Sequence, residues 1–352
     1  MTVSAFEHPF LAGIAGRDEI TDHLGAEAEI RAMLAFETAL ARATADAGLI
    51  PDGSALEIET AASAYQPDWA RLREGVMRDG VVVPELVSAL KETVNEETRP
   101  AVHYGATSQD VIDTALVLRL RPILDLFRAD IEGLLVLLRD LTERFGQDEV
   151  MGRTRLQDAL PILFHHRLGN WRSPLSGLLR DLEGVEKLLL KIQFGGAVGT
   201  LDGFDGKGKI IRAKLAQQLS LADTECWHTD RRSLGAFASW MSSVTAALSK
   251  IGTDIALMKQ NGLDEIRLSS AGGSSAMAHK KNPVQAEYLM SFARFTAGQA
   301  GIFSQSAVHE FERSGSSLTL EWLVLPQMIQ ATGASLSHGK ALLGSITGVG
   351  AR

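Results

Sequence analysis

The feature that most constrains this chain is a regular apolar stripe over residues 231–260. Apolar side chains alternate steps of three and four along it, at Leu234, Phe237, Met241, Val244, Leu248, Ile251, Ile255 and Met258. That spacing is typical of a long helix that buries one stripe against neighbouring helices. About thirty residues at 1.5 Å each give a helix roughly 45 Å long. The sequence therefore predicts a bundle of long helices.

Further helices are predicted from the same periodicity and from glycine and proline punctuation. The long ones cover residues 111–145, 156–193 and 283–306, and shorter ones cover residues 26–47, 55–64 and 83–93. The first long helix is expected either to tolerate Pro122 or to kink there, while Pro161 and Pro174 interrupt the second. The sequence contains no alternating series of strands. The predicted fold is all-α.

Two domains are expected, an N-terminal helical domain over residues 1–105 and a central long-helix bundle over residues 106–352. One chain of 352 residues can hardly cover several helices of about 45 Å by itself. We therefore expect the bundle to be an oligomerisation core.

The charge balance limits the classes of partner. Lys and Arg number 35 against 43 Asp and Glu, a net charge of −8, which argues against nucleic acid because phosphate binding needs a concentrated basic face. Small anionic substrates need only a few local cations. The sequence has no apolar run of membrane-spanning length and no secretion-signal pattern at its start. With a single cysteine, Cys226, it fits a reducing compartment, and we expect a cytoplasmic protein without membrane or nucleic-acid partners.

Two patterns raise the question of a cofactor. Residues 203–209 satisfy the G-x-x-x-x-G-K spacing of a phosphate loop, but Ile210 stands where Ser or Thr would hold magnesium and no strand precedes it. The adjacent His165 and His166 would point in different directions on a helix and make a poor metal site. We expect a glycine-rich interhelical loop at residues 195–209, and neither a metal nor any other cofactor.

Residues 269–282 carry the most chemistry. Two glycines precede Ser274 and Ser275, so that the segment can move at little steric cost. Lys280 and Asn282 add a cation and an amide donor, which suit a carboxylated substrate whose charge shifts during reaction. A solvated connection between two helices is the alternative interpretation.

Four more polar clusters lie at or near predicted helix ends. In the first, Thr107 and Ser108 either cap the following helix or bind an anion at its N-terminus. The other three are Arg153 to Asp158, His228 with Arg231, and the segment from His309 to Ser314. Five clusters at ends of long helices indicate one composite site.

These motifs resemble the fumarase/aspartase superfamily. GGSSAMAHKKNP at residues 272–283 resembles its signature loop, which specifies only the superfamily. Other segments resemble its 3-carboxy-cis,cis-muconate cycloisomerase branch: HYGATSQDVIDT (103–114), GRTRLQDALP (152–161), QFGGAVGTL (193–201), WHTDRR (227–232), HEFERS (309–314) with Glu321-Trp322, and LAFETALARATADAGLIP (34–51). The resemblance covers nearly the whole chain, in order.

The resemblance implies a cofactor-free lactonising enzyme in protocatechuate breakdown. One carboxylate of a tricarboxylate muconate would add across a double bond while a proton is delivered to the neighbouring carbon. It also implies a homotetramer with each active site assembled from three subunits. Alternatives are a sulfomuconate cycloisomerase, a lyase releasing fumarate from argininosuccinate or adenylosuccinate, and a non-catalytic helical oligomer.

Residue roles are carried over by position. The resemblance implies Ser274 as the mobile catalytic serine, Lys280 as its cationic helper, and Asp158 where relatives commonly carry a catalytic His. His103 is a nearby imidazole that would compensate for that replacement. Substrate-binding residues implied are His103, Thr107, Ser108, Arg153, Gln157, His228, Ser275, Asn282 and Arg313.

Two further departures from the superfamily pattern are expected to matter. Ala278 replaces the usual loop proline, which predicts a more flexible loop. Most relatives continue into another helical domain, and we expect the sequence to Arg352 to lack most of it.

Overall fold

The computed structural model describes residues 4–273, 275–277 and 279–350. Its helices are α1 (Ala12–Ala15), α2 (Asp18–Leu24), α3 (Ala26–Asp46), α4 (Asp52–Ala64), α5 (Trp69–Asp79), α6 (Val83–Glu92), α7 (Ser108–Phe145), α8 (Phe164–Leu189), α9 (Gly208–Gln218), α10 (Arg232–Met258), α11 (Val284–Phe303) and α12 (Gly315–Gly344). The strands are β1 (Glu149–Thr154), β2 (Gln157–Leu163), β3 (Ile266–Leu268) and β4 (Ile346–Val349). The expected all-α fold is confirmed.

Five long helices, α7, α8, α10, α11 and α12, pack into one bundle with a continuous apolar core. All eight side chains of the predicted stripe on α10 are buried in that core. The 38 residues of α7 make it about 57 Å long. Pro122 lies inside α7 and Pro174 inside α8, so neither proline ends its helix.

A second core lies between the N-terminal helices α3, α4 and α6, the first turns of α7, and α9. It therefore draws residues from both sides of position 105. The division of the chain at that residue stays a prediction.

The predicted helix over residues 156–193 is wrong at its start. Residues 157–163 form β2, which pairs antiparallel with β1, and α8 begins only at Phe164. Pro161 lacks the N–H that a helix needs, whereas a two-stranded hairpin tolerates it because both strands are edges. Arg155 and Leu156 have φ values of 51° and 65°, as a two-residue hairpin turn requires.

Five helices, α1, α2, α5, α9 and α12, were not predicted. In α12, 17 of the 30 residues are buried, among them small polar residues, so no single apolar stripe marks its period. A helix that is surrounded by packing partners gives a weak amphipathic signal.

The bundle has two chemically distinct ends. At one, which we call the Thr107 end, Arg231 before α10 bonds Asp113 on α7 and Glu321 on α12. At the other, the hairpin end, β3 after α10 pairs with β4 after α12, and the β1–β2 hairpin follows α7. Hence α7, α10 and α12 run in the same direction. Their N-termini lie at the Thr107 end and their C-termini at the hairpin end.

Candidate active site

The start of α7 is organised by a capping box. The Thr107 hydroxyl accepts the backbone N–H of Asp110, and the Asp110 carboxylate accepts the N–H of Thr107 at 3.1 Å. Thr107 Oγ1 also accepts from Arg313 Nη1. Capping and a cationic neighbour therefore occur together at this helix N-terminus, where Ser108 begins α7 and the dipole favours an anion.

Asp110 joins three segments behind this helix start. Its fully buried carboxylate accepts the backbone N–H groups of Gly195 and Gly196, both at 2.9 Å, and bonds His228 Nε2 at 2.8 Å. Asp110 lies within the motif at residues 103–114 but is not among the predicted site residues. The T-x-x-D spacing of a capping box was the available signal.

His228 lies beneath the helix start, with a side chain that is 3% exposed. Burial alone would lower the pKa of its imidazole, but hydrogen bonds to Asp110 and Cys226 raise it to about 9. The ring is therefore cationic at neutral pH and paired with a buried carboxylate. Its visible contacts position the helix start and the loop at residues 195–196.

A buried arginine ties the helices together at the same end. Arg231 donates to Asp113 at 2.8 and 2.9 Å and to both carboxylate oxygens of Glu321. Its guanidinium also lies over the Trp227 ring, 5.1 Å from the centroid. This bidentate arrangement fixes the mutual position of α7, α10 and α12.

His103 lies on the loop that leads into α7. Its Nδ1 is 2.6 Å from an oxygen of Glu37, and its side chain is 16% exposed. The structure thus gathers His103, Thr107, Ser108 and Arg313 at one end of the bundle, in front of His228.

The second predicted group lies at the hairpin end. Arg153 on β1 bonds Glu265 at 2.7 Å and Asp158 on β2 at 2.8 Å. Asp158 remains 66% exposed, and Gln157 beside it is exposed too. Since His103 lies at the Thr107 end, it cannot stand in for a histidine at position 158 within the same chain.

The third group is the glycine–serine loop between β3 and α11. Gly272 and Asn282 close its base by two backbone hydrogen bonds of 2.8 Å, and Asn282 Nδ2 donates to the Gly273 carbonyl at 3.2 Å. Ser275 and Lys280 are exposed on the loop. Ser274 and Ala278 lie outside the described residues.

These groups do not meet within one chain. Thr107 begins α7 and the hairpin follows the end of α7, so about 57 Å of helix separates the two groups. A small substrate spans only a fraction of that distance. The residues can form one site only where ends of different copies come together.

The described residues contain no group of three or more His, Cys, Asp or Glu side chains that would hold a metal ion. Within the same part of the chain, every helix is too short or too polar to cross a membrane.

Comparisons with known proteins show which family this chain belongs to. The lyase family profile matches residues 15–298. The 3-carboxy-cis,cis-muconate cycloisomerase of Bradyrhizobium diazoefficiens is 35% identical over 336 residues, covering 94% of this chain and 74% of that protein.

Two solved structures are similar throughout the bundle. The 3-carboxy-cis,cis-muconate lactonizing enzyme from Pseudomonas putida superposes with a TM-score of 0.90 at 32% identity, covering 97% of this chain and 77% of the other. The fumarate lyase from Mesorhizobium sp. BNC1 gives a TM-score of 0.88 at 29% identity, covering 95% and 76%.

Proposed function

Because this chain belongs to the lyase family, within the fumarase/aspartase superfamily, we propose that it is a cycloisomerase converting 3-carboxy-cis,cis-muconate to a carboxymuconolactone. The observation that carries this proposal is the pairing of Arg313 with Thr107 at the N-terminus of α7. A guanidinium, two hydroxyls and a helix N-terminus converge there, which are groups suited to binding a substrate carboxylate.

The reaction needs no leaving group and no oxidant. One substrate carboxylate oxygen bonds to an alkene carbon, and the displaced electron pair moves toward a neighbouring carboxylate. A proton then adds to the adjacent carbon, so that substrate and product are isomers. The Thr107 end would bind and stabilise the charged carboxylates, while Ser274 moves the proton and Lys280 stabilises the negative charge beside it.

Arg153 already engages Asp158, which favours a positioning role for this carboxylate over proton transfer. Its 2.8 Å contact with Arg153 supports a role in orienting that arginine toward an anionic substrate. Gln157 and the Arg153–Asp158 pair would then contribute binding groups from the hairpin end of another copy.

A homotetramer would bring the two ends together. In α11 only Glu287 and Arg294 are charged among 20 residues, yet within the chain it buries only Ala286, Leu289, Thr296 and Phe303. A helix this apolar is normally covered on most sides. Closed symmetric packing of copies along α11 supports sites shared between subunits, in keeping with a small tricarboxylate as substrate.

A direct assay tests the activity. Purified protein with 3-carboxy-cis,cis-muconate should lose the diene absorbance as lactone forms. Ser274→Ala should lower turnover at least about 100-fold without changing the oligomer, because proton transfer is lost. Ser63→Ala, an exposed serine on α4, is the matched control. Near-wild-type activity of Ser274→Ala would remove the serine from its role.

Mixing two inactive variants tests the shared site. Arg313→Ala damages the Thr107 end and Lys280→Ala damages the glycine–serine loop. If one site takes these residues from different copies, coexpression should restore about a quarter of the sites. Each variant alone should stay inactive, and absence of any recovery in mixed oligomers would contradict the shared site. A fully active monomer would contradict it as well.

The similarity to a fumarate lyase favours a second candidate, elimination of fumarate from a succinyl adduct. Release of fumarate from argininosuccinate or adenylosuccinate, with no turnover of carboxymuconate, would replace the first proposal. Turnover of sulfomuconate in preference to carboxymuconate would refine it. We also propose a place in aromatic-compound catabolism in the cytoplasm.

A further inference from the structure

Glu37 and His103 form a buried acid–imidazole pair at the edge of the Thr107 end. Glu37 lies on α3 and is 1% exposed, and its Oε1 is 2.6 Å from His103 Nδ1. Its second carboxylate oxygen is buried without a hydrogen-bond partner among the described residues. The contact with His103 is therefore the main interaction that compensates this carboxylate for the loss of water.

The backbone at His103 is held in an uncommon conformation. Its φ is 60°, in the left-handed region that residues with a Cβ rarely adopt. Such a conformation persists only where the surroundings determine it. The bond to Glu37 anchors the ring on the α3 side, which leaves Nε2 as the ring atom that is directed away from α3.

The charges around the ring favour its protonated form. Burial alone would lower the pKa of His103, but the charge and hydrogen bond of Glu37 raise it, and Asp110 on α7 adds to this effect. Lys91 on α6 acts in the opposite direction. The net direction is a raised pKa, so His103 keeps its proton to a higher pH than an isolated histidine does.

We propose that Glu37 is a positioning residue for the proposed reaction: it holds the proton on His103 Nδ1 and presents Nε2–H as a donor to a substrate carboxylate. His103 would thus act with Thr107 and Arg313, which already share a hydrogen bond at the start of α7. The same inference explains why an almost completely buried carboxylate lies behind the site. It depends on the proposed function only for the identity of the substrate.

Glu37→Gln tests the pair because it keeps the shape and removes the charge. The KM for carboxymuconate should rise about tenfold or more while kcat falls less than about threefold, since the lost interaction binds the substrate. The pH above which KM increases should move down, and NMR titration should show His103 losing its proton at lower pH. Glu85→Gln, a buried carboxylate on α6 that bonds Arg71 and Arg78, is the matched control.

Two additional measurements keep the outcomes distinct. Should Glu37→Gln fold poorly, His103→Gln provides the second variant and should raise KM to a similar extent. In a double variant the two effects should not add, because both remove one interaction. Binding of tricarballylate, a non-reactive tricarboxylate, should weaken in the same variants even if carboxymuconate proves not to be the substrate. Unchanged tricarballylate affinity and an unchanged His103 titration in Glu37→Gln would overturn the inference while leaving the proposed function intact.

Discussion

Replacing Asp110 by Asn tests the network beneath the Thr107 end most sharply. The change keeps the side-chain shape but converts one carboxylate oxygen into an NH₂ donor. In the native protein the two oxygens accept from the backbone N–H groups of Thr107, Gly195 and Gly196, from His228 Nε2 and, at 3.4 Å, from Gln193 Nε2. At least one of these buried donors therefore loses its acceptor, and His228 loses the charge that keeps it protonated.

Two estimates give the expected loss in the free energy of unfolding of Asp110→Asn. A hydrogen bond to a charged group contributes about 1.5–3 kcal/mol, and an orphaned buried donor costs about 1–3 kcal/mol. Independently, a pKa of about 9 for His228 against an ordinary 6.5 corresponds to about 3 kcal/mol, at roughly 1.4 kcal/mol per pKa unit. The two routes describe overlapping interactions, so we expect a total of about 3–5 kcal/mol.

Chemical denaturation at equal protein concentration measures this loss, because oligomer stability depends on concentration. Asp125→Asn is the matched control, since Asp125 is exposed on the same helix. We expect the control to change stability by less than about 0.5 kcal/mol. A loss below about 1 kcal/mol for Asp110→Asn would refute the reasoning.

The pH dependence gives a second test of the same network. The pKa of His228 is raised in the folded protein, so its stabilising contribution is complete below pH 6.5 and disappears as the pH rises through about 9. The wild-type free energy of unfolding should therefore fall across this window. Asp110→Asn should lack most of that fall. An identical pH slope in both proteins would show that Asp110 does not hold the proton on His228.

Two further changes test other parts of the Thr107 end. Gly105→Ala should lower the free energy of unfolding by about 2–4 kcal/mol, because φ is +64° and the new Cβ would lie 2.5 Å from the Phe204 ring. The control Gly80→Ala, with φ +75° and no neighbour within 4 Å, should lower it by only about 1 kcal/mol. Equal shifts of the two variants in thermal unfolding would exclude the ring contact as the cause. Arg231→Met should cost about 3–5 kcal/mol in denaturant unfolding, since it leaves two buried carboxylates without a cation, and an unchanged midpoint would contradict that account.

Helix periodicity made much of the fold predictable. The stripe predicted α10 to within two residues at each end, and every side chain of the stripe is buried. The hairpin was missed because apolar residues 159–163 extend the helical pattern of α8, although Pro161 marked the break. The role of Ser274 still depends on its sequence motif, since that residue lies outside the described part of the chain.

Sequence alone predicted which side chains would carry the chemistry and that they lie near helix ends, because caps, glycines and apolar spacing are properties of neighbouring residues. Only the tertiary structure decided which of them meet. Arg313 reaches Thr107 across 206 residues, and Asp110 reaches His228 across 118. It also placed Arg153, Asp158 and the glycine–serine loop at the opposite end from Thr107. Helix direction and packing decide which of these residues come into contact, and neither can be read from the spacing within a single motif.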